Sequence, residues 1–169
     1  MIVLKLLLDL CLFQAKPQDL PANSTLVVAT TVAAIFTNIL THRADGQIPM
    51  VVAMSMAQVV VFGFAIWMVL RWQSKVERFR QTITAIFGTS ALLQLVAWPV
   101  VGWLQQVKEA PDASMPMTLL FALSIWVLAI AVYVIKHALE LGTGVSFLIT
   151  LGCQVFTLIV VFMVFGQIG

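Results

Sequence analysis

Five long apolar runs, each ended by a short polar stretch and none carrying Asp, Glu, Lys, Arg or His near its middle, dominate this sequence. They extend approximately from Thr25 to Leu40, Ile48 to Leu70, Thr82 to Leu104, Met117 to Ile135 and Val145 to Phe165. An α-helix rises about 1.5 Å per residue, so about 20 residues cross a hydrocarbon layer ~30 Å thick. The first run is short and needs Asn23 and Ser24, or local thinning of the bilayer, to span. Lipid offers no partner for a backbone N–H or C=O, and the helix satisfies both within one segment. The sequence therefore predicts an all-α polytopic membrane protein, a bundle of five transmembrane helices.

Charge supports the same reading, because only 9% of the 169 residues are charged, against roughly a quarter in soluble domains. Nine basic and seven acidic side chains cannot cover five apolar helices, so membrane lipids are the expected neighbours of most of the surface. The net charge of +2 is small and scattered, which argues against a nucleic-acid partner. The connecting loops, His42 to Gln47, Arg71 to Gln81, Gln105 to Pro116 and Lys136 to Gly144, are too short for a soluble domain.

Residues 1–16 stand apart from residues 17–169, the five-helix domain. Met1 to Phe13 is too short to span and carries Lys5 and Asp9 one helical turn apart, with Lys16 on the same stripe. Ile2, Leu6, Leu10 and Phe13 face elsewhere, the pattern of an amphipathic helix lying at the membrane interface. A signal peptide is the competing reading, but Asp9 interrupts the apolar stretch and no small-x-small cleavage site follows, so the segment is expected to be retained. Pro17 and Pro21 then break the helix, and Asn23 or Ser24 can cap the next one.

With five spans, one side of the membrane receives Lys5, Lys16, Arg71, Lys75, Arg78, Arg80 and Lys136, and the other only Arg43 and Lys108. Cytoplasmic segments retain Lys and Arg, so the amino terminus is expected in the cytoplasm and the carboxyl terminus outside. Trp72 and Trp103 fall where aromatic belts are expected.

The middle of every span lacks Asp, Glu, Lys, Arg and His, the groups that ion-coupled pumps and intramembrane hydrolases use. What remains there is amide: Gln58, Gln94 and Gln154 lie near the midpoints of the second, third and fifth spans. An unpaired amide in hydrocarbon costs several kcal/mol, so these three are expected to form an intramembrane polar cluster that makes their helices neighbours. It serves either as a structural clasp or as the lining of a site for a lipid or small solute. Small residues, Ala53 and Ala57 in the second span and Gly88 and Ala91 in the third, permit close helix approach, and Pro99 is expected to bend the third span.

The loop from Arg71 to Gln81 holds four cations beside one acid. Arg71, Lys75, Arg78, Phe79 and Arg80 are candidates for contact with lipid headgroups or a protein partner, or act only as topology determinants. Cys11 and Cys153 lie in apolar sequence without metal-type spacing, and His42 and His137 fall on opposite sides, so no metal site is expected. No phosphate-binding glycine loop and no nucleophile-and-base spacing is present, so neither a cofactor nor an enzymatic activity is expected.

The layout resembles the Yip-domain family of small five-span membrane proteins. Arg78-Phe79-Arg80-Gln81-Thr82, entering a span with Gly88 and later Pro99, is similar to the entry into the middle span of bacterial relatives. The resemblance covers roughly residues 17–165 and implies five close-packed helices after a cytoplasmic amino terminus. Eukaryotic members are associated with small GTPases and vesicle traffic, and they carry a long cytoplasmic amino-terminal region that this sequence does not show, so GTPase recruitment is not expected. The resemblance thus implies topology and a bacterial inner-membrane location more than a partner. The first functional expectation is a non-enzymatic scaffold or accessory subunit that assembles with other integral membrane proteins, or with itself as a homo-oligomer. The second is a small permease or lipid-handling protein using the glutamine layer.

Overall fold

The computed structural model describes residues 2–42, 48–107 and 114–166. Their α-helices are α1 (Ile2–Cys11), α2 (Ser24–His42), α3 (Ile48–Trp72), α4 (Phe79–Gln106), α5 (Ser114–Leu139) and α6 (Thr143–Phe165), with no strand among the described residues. Helices α2 to α6 are each long and apolar enough to cross a membrane. They coincide with the five apolar runs and extend them by up to four residues at an end, because polar residues such as Gln106 and Lys136 continue a helix after hydropathy has fallen. Asn23 starts α2 as an N-cap: its Oδ1 accepts the Thr25 N–H at 2.9 Å. Pro99 lies inside α4, which runs on to Gln106.

Three helix ends share one termination. Phe13, Ser74 and Glu140 have φ of 60°, 55° and 58°, the left-handed region that L side chains seldom occupy. Each is followed by an N–H that reaches back five residues: Gln14 to the Asp9 carbonyl, Lys75 to Leu70 and Leu141 to Lys136, at 2.8, 2.8 and 3.3 Å. These are Schellman turns closing α1, α3 and α5, here without the usual glycine.

The five spanning helices form a closed ring in the order α2, α4, α5, α6, α3, each packed on the next, with α3 back on α2. The contact of α2 with α4 is the most extensive, and α4 and α6 share at most a marginal contact. That corrects the expectation that the three glutamine-bearing helices are mutual neighbours. Only α3 and α6 are firmly packed; α4 stands across the ring from α6. The small residues used at helix contacts also differ in part. Gly88 and Ala91 of α4 are buried as expected, whereas Ala53 is exposed and Ala57 half-buried, and α3 turns Ser55 and Ala65 inward instead.

Burial is concentrated at the end where α2, α4 and α6 begin and α3 and α5 finish. Every residue from Thr82 to Thr89 is buried on α4, and most of Ile130 to Leu139 on α5. Beyond Ala91 no residue of α4 is buried, and α5 before Ile130 buries only Pro116. The ring is therefore tightly packed at one end and opens toward the other. Lys5, Lys16, Arg71, Lys75, Arg78, Arg80 and Lys136 belong to segments at the packed end, hereafter the basic end. Arg43 and Lys108 lie outside the described residues.

Helix α1 docks on α4 and buries Leu7, Leu10 and Cys11, while Lys5 stays exposed. Leu7 meets Gly88, nine residues into α4, or about 14 Å from its start. At 28 residues α4 is about 42 Å long, more than a ~30 Å hydrocarbon core requires. The Trp126 indole N–H donates to the Cys11 carbonyl at 3.1 Å, and the Phe13 ring packs on Trp126 and Tyr133 with centroids 5.8 and 5.3 Å apart. The Gln81 amide binds the chain between α1 and α2, donating to the carbonyls of Gln18 and Leu20 at 3.1 and 2.8 Å.

Candidate functional site: a central cavity

Where the packed core ends, the ring encloses a cavity of about 650 Å³ to which all five spanning helices contribute. The volume lies within the roughly 300–1,000 Å³ of small-molecule sites. Ile86 and Phe87 of α4 border the packed half, and Phe62 of α3 sets its ring 6.4 Å from that of Phe87. Leu158 and Phe162 of α6 line the cavity and are nevertheless each 70% exposed, so it opens along the far half of α6. The first half of α5 lends no residue to the wall, where Val127 and Ala131 are its contribution.

Gln58, Gln94 and Gln154 all line this cavity. Gln58 lies 14 residues before the end of α3, Gln94 15 residues after the start of α4, and Gln154 11 residues after the start of α6. These offsets place them about 16–23 Å from the basic end, the middle of a bilayer-spanning bundle. Sequence reasoning found the layer because amides are conspicuous in apolar spans. The three converge on open space instead of bonding to one another, and Asn38, Ser90 and Thr157, which the sequence did not single out, complete the polar lining.

Two of these amides are held from behind. The Thr37 hydroxyl lies 2.7 Å from Gln94 Oε1 and 2.9 Å from the Ala33 carbonyl. Ser55 Oγ lies 2.8 Å from Asn38 Oδ1 and 2.7 Å from the Val51 carbonyl. One hydroxyl proton cannot serve two acceptors fully. The ends of a primary amide are alike in shape, and turning each end for end lets its NH2 donate to the hydroxyl oxygen while the hydroxyl donates to its own helix. That arrangement makes two hydrogen bonds where the other makes one, and it leaves the amide carbonyl without a protein donor. Gln58, Ser90 and Gln154 have no hydrogen-bond partner among the described residues. Among the described residues no Asp, Glu, Lys, Arg or His lines the cavity.

The basic loop makes mainly internal contacts. Lys75 Nζ donates to Glu140 Oε2 at 2.6 Å and to the Leu139 carbonyl at 2.7 Å. Arg78 pairs with Glu140 Oε1 at 2.7 Å and donates to the Ala138 carbonyl at 3.2 Å. Both cations thereby satisfy carbonyls at the end of α5 and meet the negative end of its dipole. The hydrogen bonds and charges of Lys75 and Arg78 hold the Glu140 carboxyl down at about 2, from 4.5. Phe79 packs against the core and Arg71 sits 5.2 Å over the Trp67 ring. Of the five residues expected to meet lipid headgroups or a partner, Arg80 alone is exposed without a side-chain contact among the described residues.

Cys11 and Cys153 are buried, unpaired thiols on different helices, and burial raises the Cys11 pKa. His137 packs its ring 4.2 Å from that of Tyr133 at the basic end, whereas His42 ends α2 at the other. Among the described residues no three His, Cys, Asp or Glu side chains gather as metal ligands.

Comparison with protein-family models, curated proteins and solved structures gave no match. The resemblance to the Yip-domain family rests on the sequence layout alone.

Proposed function

We infer that the protein is a non-enzymatic, lipid-handling protein of a bacterial inner membrane that receives a membrane-dissolved molecule in its central cavity. The observation that carries this reading is the pair Gln58 and Gln154, two amides without hydrogen-bond partners among the described residues, on the wall of a cavity at mid-bundle depth. A bare amide in hydrocarbon costs several kcal/mol, so the cavity is built to hold something polar as well as apolar. The wall along Leu158 and Phe162 gives such a molecule a lateral way in from the membrane. The test is extraction into lipid nanodiscs followed by native mass spectrometry. A stoichiometric adduct that is lost in Q58L/Q154L supports binding; an unliganded particle under all lipid compositions contradicts it.

The orientation proposed with this function, amino terminus in the cytoplasm and carboxyl terminus in the periplasm, is supported by the cations gathered at the basic end. Cysteine labelling of intact cells at position 72 and at position 166 checks it.

Assembly with another membrane protein or a second copy is the second reading, favoured by Arg80 and by Trp72, which is 87% exposed at the same end. Co-purification of a stoichiometric subunit that R80E releases supports it, and a monomeric particle in native lipid counts against it.

A further inference from the structure

We propose that the occupant of the cavity is an uncharged lipid carrying both a hydroxyl donor and carbonyl acceptors, of the diacylglycerol type. This rests on the ligand-binding reading above and adds the chemical class.

Three observations select that class. Among the described residues the wall has no ionised or ionisable group, so they offer nothing to neutralise a phosphate in a region where an unpaired charge is costly. A phospholipid headgroup is therefore excluded from the polar belt. The belt also lies about midway along the helices, deeper than headgroups reach, where a neutral lipid can place its polar end without losing ionic hydration. Finally, the belt presents both halves of a hydrogen bond. Gln58 and Gln154 bring unpaired N–H donors and carbonyl acceptors, and turned as bond count favours, Gln94 and Asn38 add carbonyl oxygens without a donor. A ligand with acceptors only, such as a quinone, leaves those carbonyls unpaired, whereas one hydroxyl and two ester carbonyls serve both. The apolar wall from Phe62 to Phe162 receives the beginning of the acyl chains, and the opening at Leu158 and Phe162 lets the remainder extend into the bilayer.

The experiment reconstitutes the full chain in phosphatidylcholine vesicles containing a small fraction of a diacylglycerol with a diazirine on one acyl chain. Parallel vesicles carry phosphatidic acid with the same chain, or a diazirine-bearing prenyl quinone. After irradiation, cross-linked peptides are mapped by mass spectrometry. The expected result is labelling of cavity residues of α3, α4 and α6 by the diacylglycerol probe, competed by unlabelled diacylglycerol and lower by roughly tenfold or more in Q58L/Q94L/Q154L. Q154L alone is the companion variant should the triple one fail to fold. Equal or stronger cavity labelling by phosphatidic acid or the quinone overturns the neutral hydroxyl class and leaves ligand binding standing. Diacylglycerol labelling that ignores the glutamine substitutions overturns the proposed role of the polar belt. If none of the probes marks the cavity, and a small aqueous thiol reagent reaches a cysteine placed at position 158 from inside it, the cavity is a water-filled space and the ligand-binding reading falls too.

Discussion

Leu7 occupies the notch that Gly88 leaves in α4: a Cβ built on Gly88 would stand 2.7 Å from Leu7 Cδ2 and 3.3 Å from the Thr30 methyl. The first of these neighbours is the end of a flexible side chain, so Gly88→Ala is accommodated by a rotamer change of Leu7, whereas Gly88→Leu lifts α1 from α4. The expected sign of displacement is rapid proteolysis between Lys16 and Pro21 and faster hydrogen exchange over residues 2–11, with α2 to α6 unchanged. Leu7→Ala should restore docking in the Gly88→Leu background, because it vacates the same volume. If Gly88→Leu leaves α1 as protected as before, Leu7 does not hold it there.

Ser74 closes α3 at φ 55°, is exposed and makes no side-chain hydrogen bond among the described residues, so its hydroxyl contributes nothing that offsets the left-handed conformation. Ser74→Gly is expected to stabilise the protein by about 0.5–1 kcal/mol, read as a higher thermal midpoint in detergent. Glu140→Gly relaxes the same backbone strain but removes both ion pairs, and its midpoint should fall below that of Ser74→Gly. Equal gains from the two variants would mean that the pairs to Lys75 and Arg78 contribute no stability.

Those pairs also set an acid limit. The Glu140 carboxyl is depressed to about 2 in the folded protein from 4.5, so it favours the fold fully above about 4.5 and progressively less as pH falls toward 2. Wild type should be more stable than Glu140→Gln at neutral pH, and the two should converge as pH drops through that window. Because the Glu140 side chain is 60% exposed, solvent and salt screen the effect, and raising ionic strength at neutral pH should narrow the gap. A difference that persists below about pH 2 would assign the effect to shape instead of charge.

Much of the fold was legible because hydropathy, length and the bilayer thickness act on contiguous residues. Thr25 to Phe165 partitions into five helices on those terms alone, and the Gln58, Gln94 and Gln154 layer follows from counting inward from the span ends. The ring order was not legible, since a lipid-solvated helix can face a cavity, a neighbour or the membrane with the same apolar pattern; Ala53 and Ser55, two residues apart, illustrate it, one exposed and one buried. Nor was the internal engagement of the loop. Lys75 and Arg78 read as cations facing lipid headgroups or a partner until Glu140, 65 and 62 positions away, is brought against them. The carbonyls they cap exist only once α5 has ended.

The cavity makes stability and occupancy oppose each other. With no ligand bound, Gln58 and Gln154 leave amide groups without partners among the described residues in a low-dielectric space, a cost that leucine does not carry. Q58L and Q154L should therefore raise the thermal midpoint of protein stripped of lipid, and the double variant should exceed either single one, since the two amides are not bonded to each other. Added diacylglycerol should raise the wild-type midpoint in proportion to its occupancy and leave the double variant nearly unmoved. Gln94→Leu behaves differently: it deprives Thr37 of one partner but leaves the hydroxyl its bond to Ala33, so the stripped protein is expected to change little. Lower midpoints for both stripped single variants would show that these amides already satisfy each other or the backbone, and would return the glutamine layer to the role of a structural clasp.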